Sequence, residues 1–416
     1  MPLRRKRAES QPPAGGHIMH HAPHLTRRHL LALAAATVLP APLAMGAAAD
    51  ELSRLLAERW TARYGGKPGG LTLLALTPRG DFFATTLEGV TAKSHFRGAS
   101  TTKTFTAAAI MLLDQRGLLK IDDVLTATMP GKSEPYLPDT PAFAIPHKAD
   151  ITIRQLLSHR AGVFDLANQD IPADKPVPYA GKRYVDWAVE QDAQHSFTKP
   201  ELIGVVAETQ VSNAAPGAGY GYSDTHYTLL GEIVERVSGL PLDQFKRTEL
   251  LTPNGLDDTQ FIIDGHTSKL PPPAIGAFSL EQGKAIPMDD YNYSYDPGSG
   301  NVFTTPADLV RWIRLLVRGE AGVSKPQVAR MTEVLPDSHY GLGLSTKSAG
   351  TYDLGYGHNG GTPGFLTDLA YNPANDMGYV LVSSLIDFDD LRGQLGWMDE
   401  VAAEALQQIA KGQGAD

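Results

Sequence analysis

Strand-like segments stand at both ends of this chain, and helical ones fill the middle. Leu71 to Leu76 and Phe82 to Thr86 read as strands around the turn Pro78-Arg79-Gly80-Asp81. Near the other end, Tyr340 to Ser345, Asp353 to His358, Gly364 to Tyr371 and Gly378 to Ser384 read as four more. Asn372 to Asp376 supplies the turn between the last two. Asp50 to Tyr64, with Leu52, Leu55, Leu56 and Trp60 on one stripe, and Leu391 to Ala410 are amphipathic helices. The simplest arrangement is one antiparallel sheet built from both ends and flanked by the terminal helices. A helical lobe is inserted within about residues 104–335. This is an α/β (α+β) fold class, and the cleft between lobe and sheet is where a ligand is expected.

The first residues read as an export signal over 1–49. Thr26-Arg27-Arg28-His29 leads into the apolar run Leu30 to Leu43, and small residues follow at Ala44 to Ala49. The paired arginines suggest the twin-arginine route. The run is shorter than the roughly 20 residues a spanning helix needs, and Pro40 and Pro42 break it. The expectation is a periplasmic or secreted protein of residues 50–416, with no membrane span once the signal is removed. Export would take six basic residues and one acidic residue away, moving the net charge from −9 to −14. So acidic a body does not suit a nucleic-acid partner. The chain has no cysteine, so neither disulfides nor thiol chemistry are available to it. His17, His20, His21, His24 and His29 all fall in or before the leader. They suggest no metal site in the exported body, and no cofactor is expected.

Three short elements carry chemistry. Ser100-Thr101-Thr102-Lys103 opens a helical stretch, Thr101 to Gly117, that is apolar and alanine-rich. Positions i and i+3 share a helix face, so a hydroxyl and an amine stand side by side, as an activated serine requires. Alone, the same four residues would equally suit an N-cap serine and a surface lysine. The second element, Pro216 to Asp224, is a glycine-rich loop running into a helix and ending Tyr222-Ser223-Asp224. It also reads as a capping segment. The third, Gly357-His358-Asn359-Gly360-Gly361-Thr362-Pro363-Gly364, surrounds one histidine with glycines at a strand end. Such an edge can accept an extended substrate or an oxyanion, and the same residues would suit a turn with a solvent-facing histidine.

Taken in order, the three resemble the Ser-x-x-Lys, Tyr-x-Asn and Lys/His-x-Gly signatures of the penicillin-recognising serine hydrolases. That group holds the class C β-lactamases, the D-alanyl-D-alanine carboxypeptidases and the family VIII esterases. Leu156 to Gly162, Leu229 to Glu235 and Thr304 to Leu309 are similar to supporting segments of the same family. The resemblance covers nearly all of residues 52–410. It implies a β-lactamase/transpeptidase-like fold and acyl transfer through a covalent serine. Carried over, Ser100 is the nucleophile, and Lys103 and Tyr222 handle the proton. The backbone N–H groups of Ser100 and Gly361 form the oxyanion hole. Asp224, His358, Asn359, Gly360 and Gly361 line the substrate, with His358 and Asn359 directed to a substrate carboxylate. His159 is expected to hold its loop.

Two positions depart from the family pattern. Asp224 stands where asparagine is commonest, and an ionised carboxylate accepts hydrogen bonds but cannot donate them. Beside Lys103 it would favour an ammonium, which leaves Tyr222 as the expected base. Asn359 stands where threonine or serine is common. Histidine at 358 supplies less fixed charge than lysine. The resemblance implies first a D-alanyl-D-alanine carboxypeptidase-like hydrolase acting on peptidoglycan stem peptides. A carboxylesterase, a β-lactamase, or a D-amino-acid peptidase or amidase of the same fold are the alternatives. A silent binder of cell-wall peptide or β-lactam is the alternative from another class. The expected partners are small peptides, esters or β-lactams.

Overall fold

The computed structural model describes residues 47–413 apart from positions 268 and 290. All but the last residues of the predicted export segment lie outside that range. The helices are α1 (Ala47–Tyr64), α2 (Thr102–Gln115), α3 (Ile153–Leu157), α4 (Tyr184–Gln191), α5 (Lys199–Thr209), α6 (Asp224–Ser238), α7 (Leu242–Lys246), α8 (Pro306–Val317), α9 (Lys325–Thr332) and α10 (Leu391–Gln413). The strands are β1 (Leu71–Thr77), β2 (Gly80–Thr85), β3 (Phe96–Ala99), β4 (Gln260–Phe261), β5 (Phe278–Glu281), β6 (Lys284–Pro287), β7 (Val302–Thr304), β8 (Ser345–Ala349), β9 (Tyr352–Thr362), β10 (Phe365–Asn372), β11 (Met377–Ser383) and β12 (Leu385–Asp387).

The main sheet has the order β2-β1-β11-β10-β9-β8, all antiparallel. The two ends of the chain meet where β1 pairs with β11, Leu73 opposite Leu381. Every residue of β1 and β11 is buried because both faces of the sheet are covered. Side chains alternate between faces. Leu71, Leu73, Tyr379 and Leu381 pack with Leu52, Leu56 and Trp60 of α1 and with Met398, Val401 and Leu406 of α10. Leu74, Leu76, Val380 and Val382 turn to the other side, toward Phe105 of α2 and Trp312 of α8. Truncating one of these leucines to alanine costs about 2–5 kcal/mol, most where the neighbours cannot close the gap.

Two smaller sheets complete the frame, β3-β7-β4 and β12-β5-β6. The first matters most for function. β3 runs directly into α2, and its partner β7 holds the preceding loop, Asp296 to Asn301, against the start of that helix. The threonines there are used one by one. Thr101 Oγ1 donates to Gly98 O at 2.9 Å, Thr102 Oγ1 to Ala99 O at 2.7 Å and Thr106 Oγ1 to Gly298 O at 2.6 Å. Thr104 Oγ1 accepts Trp312 Nε1–H at 2.8 Å. Trp312 in turn stacks on Phe105 with centroids 4.1 Å apart. The polar face of an otherwise apolar helix is thereby fixed in place.

Two sequence expectations shift. Tyr340 to Ser345 is not a strand. Gly341 N–H donates to Leu344 O at 2.8 Å, and Gly343, at φ +81°, turns the chain hard against α2. A β-carbon on Gly343 would come within 2.3 Å of Ala107 Cβ, so the strand starts only at Ser345. Conversely, the glycine segment at 357–362 is strand rather than turn: β9 runs on to Thr362, and Pro363-Gly364 makes the turn. Its glycines serve close packing, as shown next.

Candidate active site

Ala99, the last residue of β3, has φ +49°, a conformation costly for a residue with a β-carbon. The bend turns Ser100 out of the strand just before α2. Ser100 is partly exposed while Lys103, one helical turn on, is fully buried. Ser100 Oγ sits 3.0 Å from Lys103 Nζ and 2.9 Å from Tyr222 Oη. Lys103 Nζ also donates to Ser299 O at 3.0 Å and lies 2.5 Å from Asp224 Oδ1. The sequence elements at 100–103 and 222–224 thus converge on one oxygen atom.

Asp224 opens α6 and sits in an acidic shell. Asn168 Nδ2 donates to Asp224 Oδ2 at 2.8 Å and to Asp165 Oδ2 at 3.0 Å, and Asp224 N–H donates to Asp165 Oδ1 at 3.2 Å. Asp296 accepts from the Ser299 hydroxyl. Burial, then the charge of Asp224, push the Asp165 carboxyl up to about 7 and the Asp296 carboxyl up to about 8. The same two causes push the Tyr222 phenol well above its usual range. This reverses the expectation for Tyr222. Asp224 does pair with Lys103, but its charge also opposes a tyrosinate next door, so Tyr222 rests as a phenol.

The third element also reaches the site. A β-carbon on Gly360 would lie 2.2 Å from Gly98 O and 3.2 Å from Ser100 N, so only glycine lets β9 pack against the Ser100 turn. Pairing of β9 with β8 ends at Gly357. From His358 to Thr362 the strand bonds to β10 on one side, and among the described residues no strand pairs with its other edge. That edge brings Gly360 against the Ser100 turn, with Gly361 next along the strand.

His358 and Asn359 do not carry the roles expected of them. His358 is buried, and its Nε2 accepts from Tyr340 Oη at 2.9 Å while Nδ1 donates to Asn359 O at 2.5 Å. Burial and the nearby Lys103 charge lower its pKa to about 3. It is a neutral ring with both nitrogens engaged, not a cation awaiting a carboxylate. Asn359 follows it on the strand and therefore faces the opposite side of the sheet. Its side chain meets Lys347 and Asp368, away from Ser100.

His159 does more than hold a loop. His226 Nε2 accepts from Val163 N–H at 3.2 Å, which places the His226 proton on Nδ1. That proton is donated to His159 Nδ1 at 3.1 Å, and the same atom accepts Ser223 N–H at 3.2 Å. The His159 ring lies 4.2 Å from that of Tyr222 and 4.8 Å from that of Tyr340, centroid to centroid. A bonded histidine pair thus forms the bed on which Tyr222 rests. Tyr340, Asn168, Asp165, Asp296, Ser299 and His226 were missed by the motif reading. Asp296 to Asn301, a Pro-Gly-Ser-Gly loop flanked by Asp and Asn, carried a visible signal of close backbone approach; Tyr340 carried none.

The geometry is that of a serine with an amine and a phenol on its oxygen and a glycine strand edge at its side. The Beta-lactamase family model matches residues 58–395. Penicillin-binding protein 4* of Bacillus subtilis (strain 168) is 25% identical over 296 residues, covering 66% of this chain and 57% of that protein. A putative D-alanyl-D-alanine carboxypeptidase of Salmonella schwarzengrund (strain CVM19633) is 26% identical over 362 residues, covering 77% of this chain and 74% of its own. The chain spans 57% and 62% of the length of two Bacillus subtilis relatives, penicillin-binding protein 4* and a putative penicillin-binding protein. Among solved structures, D-amino acid amidase from Ochrobactrum anthropi SV3, complexed with L-phenylalanine amide, superposes with a TM-score of 0.70 at 21% identity, over 88% of this chain and 100% of that one. A D-stereospecific amidohydrolase from Streptomyces sp. gives 0.65 at 23% identity, over 80% of this chain and 94% of that one. With the match to residues 58–395 spanning the whole catalytic frame from α1 to α10, the chain belongs to the Beta-lactamase family of serine hydrolases.

Proposed function

We propose that this protein is an exported hydrolase that forms an acyl-enzyme on Ser100 and acts on small amides or esters whose leaving group carries no carboxylate. The observation behind the substrate class is His358. Its ring is neutral and internally bonded, so β9 offers no cation to a C-terminal carboxylate. Two cations near the cleft are already paired, Lys103 with Asp224 and Arg160 with Asp337. The amidases among the structural neighbours act as company for this reading, not as its basis.

In the proposed reaction the reactive form carries Lys103 as a neutral amine, and Ser100 Oγ attacks the carbonyl carbon while its proton passes to Lys103 Nζ, 3.0 Å away. Asp224, 2.5 Å behind, stabilises the ammonium that forms, as a buried carboxylate steadies the base of other serine hydrolases. Tyr222, a phenol 2.9 Å from Ser100 Oγ, gives its proton to the leaving nitrogen or oxygen and is reprotonated from the Lys103 ammonium. The serine proton in effect departs with the leaving group, and both side chains regain their starting forms before water attacks. The N–H groups of Ser100 and Gly361 receive the oxyanion, a contribution of about 3–4 kcal/mol per donor.

A second reading, a D-alanyl-D-alanine carboxypeptidase acting in the cell envelope, rests on the curated relatives and the predicted export signal. A turnover panel separates the two. It sets a D-phenylalanine amide and a short-chain nitrophenyl ester beside a D-Ala-D-Ala peptide and a chromogenic cephalosporin, with wild type and Ser100→Ala. The proposal expects kcat/KM for the amide and ester to exceed that for the peptide. Brisk D-alanine release with poor amide and ester turnover would establish the second reading instead.

A further inference from the structure

Behind β9, on the face away from Ser100, lies a buried ionic cluster that the proposed reaction does not use. Lys347 Nζ of β8 stands 2.8 Å from Asp368 Oδ1 of β10, 2.5 Å from Asp399 Oδ1 of α10 and 2.8 Å from Asn359 Oδ1 of β9. Asn359 Nδ2 donates to Asp368 Oδ1 at 3.2 Å, and Tyr379 Oη of β11 donates to Asp368 Oδ2 at 2.7 Å. Five elements meet there. Side-chain exposure is 5% for Lys347 and 0% for Asp368, so these two charges are out of water, while Asp399 is partly exposed. Burial works against the Lys347 charge, and the two aspartates outweigh it, holding the ammonium above the ordinary lysine range.

Such clusters add little net stability, because desolvation offsets the attraction. Their value lies in fixing one geometry. Here the geometry at stake is specific. β9 is paired on both sides only as far as Gly357; beyond it, β10 alone holds the backbone. Asn359 lies in that one-sided stretch, between His358, which supports the Tyr340 wall, and Gly360, which touches the Ser100 turn.

We propose that Lys347 is a positioning residue for catalysis, acting through Asn359 to set the depth at which Gly360 and Gly361 lie beside Ser100. The inference rests on Ser100 being the nucleophile. Asn359→Ala cuts the link to β9 while leaving the Lys347–Asp368–Asp399 ions intact, and Lys347→Met removes the anchor itself. A misplacement near 1 Å costs up to about 100-fold in rate, so a partial loosening should lower kcat for a nitrophenyl ester by roughly 10-fold. KM should stay within about 2-fold, because a displaced oxyanion site weakens the transition state more than the ground state. The double variant should be no slower than Lys347→Met alone, since both changes break one chain of contacts. A merely structural Lys347 would instead give effects that multiply.

The experiment measures kcat, KM and Tm for wild type, both single variants, the double variant and Ser100→Ala. Wild-type kcat in Asn359→Ala, or multiplicative losses in the double variant, would overturn the proposal. Should Lys347→Met fail to fold, Asn359→Ala decides the matter alone. Activity surviving in Ser100→Ala would be a different failure, that of the nucleophile assignment.

Discussion

Lys103 Nζ lies 2.5 Å from Asp224 Oδ1 and 3.0 Å from Ser100 Oγ, so the buried carboxylate and the buried amine connect directly to the partly exposed nucleophile. Asp224 also faces Tyr222, Asp165 and Asp296, and its charge helps hold protons on all three. Removing that charge lets the cluster release protons at lower pH. In Asp224→Asn the acid limb of the kcat/KM profile should therefore move to lower pH. An unmoved limb would separate Asp224 from the base. Because the change leaves a buried lysine without its counter-charge, the variant should also lose about 3–5 kcal/mol of stability in denaturant titration.

Tyr222 as a proton donor makes a prediction about leaving groups. A nitrophenolate departs without a proton; an amine does not. Tyr222→Phe should cost about 100-fold or more on an amide and at most roughly 10-fold on a nitrophenyl ester. Equal losses on both substrates would assign Tyr222 to the attack step instead.

Three buried histidines around the site, His159, His226 and His358, should not titrate near neutrality. Burial drives all three down, His226 and His358 to about 3. Their imidazole 15N shifts should stay constant between pH 5 and pH 8, with His226 as the Nδ1–H tautomer. A midpoint for His358 inside that window would restore it as a switchable cation and reopen the carboxylate-binding reading.

Asp296 predicts how stability responds to pH. Its carboxyl is raised from 3.8 in the unfolded chain to about 8 in the folded one, by burial first and by Asp224 second. Between those values the native state binds the extra proton, so stability present at low pH is lost as pH rises toward 8. The wild-type Tm should fall over this range relative to Asp296→Asn, whose side chain cannot ionise. The difference between the two should change by at least about 2 °C from pH 5 to pH 8.5. Parallel curves would place the Asp296 charge in contact with water.

The fold was legible where pattern and periodicity were strong. Leu71 to Leu76 is a nearly unbroken apolar run, as a strand covered on both faces requires, and Pro306 follows the capping Thr305, whose hydroxyl accepts Asp308 N–H at 3.3 Å. What failed was set by packing that no local pattern records. Gly341 packs on the Met331 carbonyl and Gly343 on Ala107, and Gly357 and Gly360 continue a strand because neighbouring backbones need the space. The site followed the same rule. Ser100, Lys103 and Tyr222 come from motifs and meet within 3.0 Å. Asn359 was misread because a motif lists neighbours in sequence, whereas a strand sends them to opposite faces. Tyr340, which caps His358, sits in a segment with no signature.

The central claim is that Ser100 carries the acyl group. Intact-mass measurement after treatment with a fluorophosphonate, followed by peptide mapping, tests it most directly. The wild-type chain should carry one adduct, located on Ser100, forming much more slowly in Lys103→Met and absent in Ser100→Ala. An adduct of the same yield in Ser100→Ala, or one mapped to another residue of the wild type, would contradict it.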